Sequence, residues 1–439
     1  MNRVLSIALF LYFFLFSYYV VTGYKEAIPA YMLWLETVFA VVYVFFIYIS
    51  SRINKMRYIL PLIFAVSAVM AFSTRAAFLA DDPSMPFGPA LGDGYGYHDQ
   101  GLLYVGKSYG EVLKYIWTFT NDNIDDLGYP TILYLVYNLC NDETASLNFM
   151  IFLNAAVIMV SAFYFFRFLR LLAIDKKTTC IYTSVWGFSP FLSTIAAVGL
   201  KENIFCLLVI MAFYYMYRYK NSGGVSNLIL ALVSIVACYF FRVALALMLV
   251  ISLFAIFVAN EKNRKKLLWI GLAGMVVGLV FIDIILARFT HMSLSQVLEM
   301  SNSRFGVVSD NSSFNWMTQV VGALMGPFPN FNRTNGYAII FSGALIVKVL
   351  LSYHFILGMW YVMRGYVYKL YPMMVFIFMG FVMWILSAVS LDMRYQITFI
   401  PIILALCAIM DSEKRIKLDW KYYAYVVMAT MVIILYNGR

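Results

Sequence analysis

Again and again this chain stays apolar for about 20 residues, the length at which a helix covers the hydrocarbon core of a bilayer. Such runs cannot stay solvated, and in lipid the backbone must satisfy its own hydrogen bonds, which leaves helices or closed barrels as folds. The runs are too long for barrel strands. They lie at roughly 4–22, 31–50, 58–74, 147–167, 178–199, 203–217, 226–241, 243–259, 267–286, 338–361, 371–390, 395–410 and 421–436. The expected fold is therefore all-α: a polytopic membrane protein with about 13 transmembrane helices and two large external loops, in a single integral membrane domain over 1–439. With 63% hydrophobic and 12% charged residues, the chain is far from the half-apolar, quarter-charged balance of a soluble domain. The apolar run after Arg3 is too long for a signal-peptide core, and VVTGYKEA has no small-x-small cleavage site, so it reads as an anchor.

One run, Val225 to Asn260, is too long for a single crossing at 1.5 Å per residue, and Arg242 interrupts it. A tight hairpin with Arg242 at its tip is expected. Lys and Arg in short loops set the orientation. SRINKMR (51–57), RFLRLLAIDKK (167–177), RYK (218–220), EKNRKK (261–266), RGYVYK (364–369) and EKRIK (413–417) fall on one side, which is taken as cytoplasmic, with the N-terminus. The external segments are then 75–146, the turns GLKEN (199–203) and FFR (240–242), 287–337, and SLDMR (390–394). The net charge of +10 is explained by cytoplasmic loops and implies no nucleic-acid partner. The cysteines Cys140, Cys180, Cys206, Cys238 and Cys407 have no CxxC or metal spacing and are read as small core residues. His291 and His354 are solitary, and no metal site is expected.

The polar residues that could carry chemistry collect on the external side. GDGYGYHDQG (92–101) interrupts the apolar chain with Asp93, His98 and Asp99 among four glycines, and is expected to be a flexible loop. GLKENIF contributes Lys201 and Glu202, YFFRVAL contributes Arg242, SNSRFG contributes Arg304, and LDMRYQITFIP contributes Arg394. Snorkelling to the interface accounts for single charges at span ends. Their recurrence on one side suggests a site that holds an anion near a carboxylate, a task for which the guanidinium fork is suited.

In this order the features resemble the GT-C superfamily of membrane glycosyltransferases. GDGYGYHDQG supplies Asp93, Tyr97 and His98 where that group carries an acid followed by YH. LGYPTILYLVY (127–137) is similar to its GYP segment and helix along the outer surface, and WGFSPFLSTIAAVGLKENIF (186–205) to two spans joined by a charged outer turn. YFFRVALALMLV (239–250) and MRYQITFIPIILAL (393–406) resemble its arginine-tipped hairpin and late RY-and-Pro span. Two spans precede the usual first one. The resemblance implies transfer of a sugar from a polyprenyl phosphate or pyrophosphate donor to a glycan or lipid-linked acceptor, in cell-envelope glycan biosynthesis at a bacterial inner membrane. It implies Asp93 as base, with Asp99 or Glu202 assisting, and His98, Lys201, Arg242, Arg304 and Arg394 toward the lipid phosphate. No cofactor is demanded, although a divalent cation would be compatible with the carboxylates. The acidic loop and the second large external loop, with SRFG and GPFP, also resemble O-antigen and exopolysaccharide repeat-unit polymerases. A lipid-glycan flippase or transporter is the rival of a different class. Against it, intramembrane charges are few (Glu36, Asp283 and Lys348), and no span is conspicuously broken at mid-depth by Gly or Pro.

Overall fold

The computed structural model describes residues 1–21, 30–88, 92–119, 127–258, 312–331, 339–365, 367–416 and 418–438, with a few positions between 293 and 299. The described chain is helical and contains no strand. The helices are α1 (Asn2–Val21), α2 (Ala30–Ile53), α3 (Met56–Asp81), α4 (Gly92–Tyr104), α5 (Tyr109–Phe119), α6 (Gly128–Cys140), α7 (Glu143–Leu171), α8 (Lys176–Gly187) and α9 (Pro190–Val198). They continue with α10 (Glu202–Ser222), α11 (Val225–Tyr239), α12 (Val243–Val258), α13 (Ser312–Leu324), α14 (Ser342–Arg364), α15 (Tyr371–Leu386), α16 (Met393–Gln396), α17 (Ile400–Ser412) and α18 (Trp420–Asn437).

Among the described residues six helical stretches are long and apolar enough to cross a membrane: Tyr31–Ile53, Met56–Asp81, Glu143–Leu171, Lys176–Val198, Ser342–Arg364 and Tyr368–Leu386. Four further apolar helices are shorter. This is an integral membrane protein, all-helical over the described residues. The run expected at 267–286 lies outside the described residues, as do Asp283, His291, Arg304 and the loop 261–266.

Sequence chemistry sets several helix starts. Asp142 accepts from the Ala145 amide (2.7 Å) at the head of α7, and Asp175 accepts from the Thr178 amide (3.0 Å) at the head of α8. Caps of this kind are worth about 1 kcal/mol each. Burial sorts the helices. Residues 180–198 are almost all buried, as are Ile400–Met410 of α17, so α8, α9 and α17 form the centre with α10 and α14 beside them. Toward the edge, α11 exposes Val225, Ile229, Val233 and Val236. Helical spacing puts these on one stripe, an apolar face that water would penalise and lipid accepts. The five cysteines are free, four of them buried and Cys140 half-buried, as their apolar settings suggest.

Three expectations are corrected. The segment 75–146, expected as a large external loop with a helix over 127–137, keeps that helix as α6 but is largely helical elsewhere as well. Helix α3 runs on to Asp81, and α4, α5 and α6 fill the rest of the described part. Arg75, the first residue of that segment, is buried in α3 and donates to the carbonyls of Leu147 (2.8 Å) and Ala197 (2.7 Å). Secondly, the glycine-rich stretch is helix α4. A Cβ on Gly94 would lie 2.8 Å from the Val198 carbonyl oxygen, and one on Gly101 would lie 2.7 Å from the Tyr137 ring. These two glycines allow close packing, and that gain outweighs their low helix propensity. Thirdly, the span at 178–199 is broken. Pro190 has no N–H to continue the ladder, and the chain bends through Phe188 and Ser189 between α8 and α9. The carbonyls freed there are capped from other helices, Val185 by the Tyr43 hydroxyl (2.9 Å) and Gly187 by Ser67 (3.4 Å). A break at this depth survives only where such partners exist.

Candidate functional site

The site forms where helix ends meet. Asp93 stands in the first turn of α4 and Glu202 is the first residue of α10, so both carboxylates sit at helix N-termini, where the dipole favours negative charge. Arg394 lies in the one-turn helix α16, whose start is fixed by the Asp392 carboxylate accepting from the Arg394 amide (2.9 Å). The Arg394 guanidinium joins the three elements. Its Nη2 donates to Asp93 Oδ2 at 2.5 Å and to Glu202 Oε1 at 3.1 Å, and its Nε donates to the same Glu202 oxygen at 3.2 Å. Asp93 is 54% exposed at its side chain and Glu202 only 4%, so one carboxylate faces out and the other is enclosed. The second Glu202 oxygen, Oε2, is buried and has no hydrogen-bond partner among the described residues.

Burial works against the Arg394 charge, yet Glu202, Asp93 and Asp392 outweigh it and raise its pKa above the ordinary arginine value. Asp392 is pushed the other way. Burial raises its carboxyl above the usual aspartate range, and the Arg394 amide and charge offset this only in part.

Arg242 stands at the tip of the α11–α12 hairpin, as the broken hydrophobic run requires. Its guanidinium lies 5.1 Å from the Tyr395 ring centre and 5.9 Å from that of Phe205. Among the described residues its side chain makes no ion pair. Stacking of this kind holds a guanidinium by its faces and leaves its N–H edge available. The Lys201 ammonium sits 5.6 Å from the Tyr97 ring, which packs edge-on against Tyr129, and the Tyr129 hydroxyl donates to the Gly199 carbonyl.

Thus Asp93, Glu202, Arg242 and Arg394 converge, with Lys201 on the flank. His98 does not join them. It is buried, with Nδ1 2.7 Å from the Tyr137 hydroxyl and Nε2 3.0 Å from Glu143. These bonds tie α4 to α6 and α7, so His98 positions the helix that carries Asp93. Asp99 is exposed, and its charge acts on Tyr137, away from Arg394. Arg304 lies outside the described residues. The GPFPNF segment that follows is anchored instead to α1 and α18: Phe331 stacks on Tyr19 with ring centres 5.5 Å apart, and its amide donates to Asn437 (2.7 Å).

Sequence reasoning missed Asp392 and the aromatic seats Phe205 and Tyr395. The Asp-x-Arg spacing in SLDMRY was the available signal for the first. Beneath α16, Gln396 donates to the carbonyls of Gly322 (3.0 Å) and Ser390 (2.5 Å), and Gln319 accepts from the Ser390 amide (3.0 Å). These bonds support the irregular backbone that presents Arg394. Among the described residues no group of three metal-ligating side chains is arranged to hold an ion. Comparison with family models, curated proteins and solved structures gives no match for this chain.

Proposed function

We propose that this protein is a membrane glycosyltransferase of the GT-C kind. It takes a sugar from a polyprenyl phosphate or pyrophosphate donor on the external face of a bacterial inner membrane, crossing that membrane about thirteen times, with the carboxylate–arginine cluster on the external face. The observation that carries this reading is the Arg394 guanidinium binding Asp93 and Glu202 together. It sets an exposed carboxylate and a second, stacked arginine at one end of an apolar helix bundle.

The chemistry is a substitution at the anomeric carbon. The acceptor hydroxyl oxygen forms the new C–O bond while its proton passes to Asp93. The bond from the anomeric carbon to the phosphate oxygen breaks, and the phosphate leaves with the electron pair. Arg394 is already neutralised by two carboxylates, so its work is to fix them. Arg242, with Lys201 on the flank of the cluster, meets the growing phosphate charge. This moves Arg394 from phosphate holder to carboxylate clamp.

Two alternatives are tied to observations. The anchored GPFPNF segment is as compatible with a repeat-unit polymerase as with a transferase. The break between α8 and α9 favours a flippase or transporter, since transporters use discontinuous helices at mid-depth. Deleting the gene and identifying the lipid-linked glycan that accumulates separates them. A transferase leaves a carrier glycan lacking one sugar, and a polymerase leaves single repeats in place of a ladder. A flippase leaves a complete glycan on the inner leaflet, which would refute the enzyme reading.

Topology has its own test. In a Cys140→Ser background, which removes the half-buried cysteine, Ser108→Cys should react with an impermeant thiol reagent in intact cells and Lys55→Cys should not. Both positions are exposed. The reverse pattern would place the Arg394 cluster on the cytoplasmic side and exclude external chemistry.

A further inference from the structure

Beside the α8–α9 break lies a small cavity of about 30 Å³, lined by Tyr43, Trp186, Ser189, Lys348 and Met393, with apolar side chains making up the rest. Such a volume holds one small ion or one or two waters. Its polar lining has one sign. The Lys348 ammonium, on α14, donates to Gln396 Oε1 at 2.7 Å, and among the described residues no carboxylate pairs with it. One amide oxygen engages one of its three N–H groups and supplies no opposing charge. Placing a cation in an apolar interior without a counter-charge is costly. Ser189, at the start of α9, brings its hydroxyl to the same lining. The Tyr43 hydroxyl is already committed to the Val185 carbonyl.

From the cavity, its charge and its donors we infer that it binds a small monovalent anion, a halide such as chloride, between Lys348 and Ser189. The anion supplies the missing counter-charge and accepts from both groups, which a water molecule could do only without the charge. The N-terminus of α9 adds a favourable dipole. Because Lys348 is bonded to Gln396 of α16, the bound anion also steadies the short helix that presents Arg394. The inference does not depend on the glycosyltransferase reading, and its test needs no sugar substrate.

The full chain in nanodiscs of zwitterionic lipid is melted in sodium chloride and in sodium gluconate at equal ionic strength. Chloride should raise the melting temperature saturably, on the order of 5 °C when well above its dissociation constant. Sulfate, too large for the cavity, should act like gluconate. Lys348→Met should abolish the chloride-dependent rise, and Ser189→Ala should shift its midpoint to several-fold higher chloride. Should Lys348→Met fail to fold, the Ser189→Ala shift decides. Equal melting in chloride and gluconate would overturn the inference and leave a hydrated or neutral lysine. So would an equal effect of sulfate, or an undiminished chloride response in both variants, because either places the ion elsewhere.

Discussion

Asp93→Asn is expected to insert and fold normally while losing a hundred- to ten-thousand-fold in the rate of sugar transfer, the usual cost of removing a positioned general base. Asparagine keeps the size of the side chain and an oxygen for Arg394 to bind, but it cannot take the acceptor's proton. The structural cost should be small for two reasons. The Asp93 side chain is 54% exposed, so its ion pair is largely screened and worth at most about 1 kcal/mol. Glu202 also continues to hold Arg394 through Nε and Nη2. The measurement is single-turnover transfer from a synthetic polyprenyl phosphate sugar by the reconstituted chain, with thermal unfolding as the control for folding. Asp99→Asn should stay within a few-fold of wild type, because Asp99 faces away from the cluster. If Asp93→Asn keeps most of its activity, the carboxylate is not the base, and the arginine-dependent polymerase reading takes its place.

The sequence made the parts of this site legible but not their assembly. The Arg242 hairpin could be read because a run of that length has to turn somewhere, and a charge marks where. Glu202 at the head of α10 followed from a charged turn between two apolar runs. The contacts themselves join positions 301 and 192 residues apart, and no local pattern specifies a guanidinium bridging two such carboxylates. GDGYGYHDQG misled because glycine is a poor helix former taken alone. The compensation comes from Val198 and Tyr137, which only the tertiary structure brings against it. WGFSP by itself gives little sign of a break, because the hydrophobic run continues through it. The break becomes visible only with Tyr43 and Ser67, which cap the freed carbonyls from α2 and α3. The resemblance puts His98 with the donor-binding residues, yet five positions along a helix from Asp93 a side chain points in a different direction.

Arg394→Ala should damage stability and transfer together, and the two losses can be separated. The Glu202 residue is 3% exposed, and among the described residues Arg394 supplies the bonds to its Oε1 while Oε2 has none. Removing the guanidinium strands a buried carboxylate, a change that costs about 3–5 kcal/mol when neither partner sees solvent. The Arg394 side chain is 24% exposed, so water offsets part of this, and a loss of about 2–3 kcal/mol is expected. Lysine should restore little, since one ammonium cannot reproduce Nε and Nη2 bonds to Glu202 while reaching Asp93. The decisive variant is the double one. If the destabilisation comes from the stranded charge, Glu202→Gln added to Arg394→Ala should regain most of the lost stability, because a neutral amide is far cheaper to leave buried. Activity should stay lost, because Asp93 would still lack the group that aims it. Equilibrium unfolding of the four chains gives the coupling energy directly. A coupling near zero would mean that Arg394 only snorkels at the bundle end, and the clamp would be an accident of packing. A large coupling with activity retained in Arg394→Ala would keep the clamp as a structural device and remove it from the mechanism.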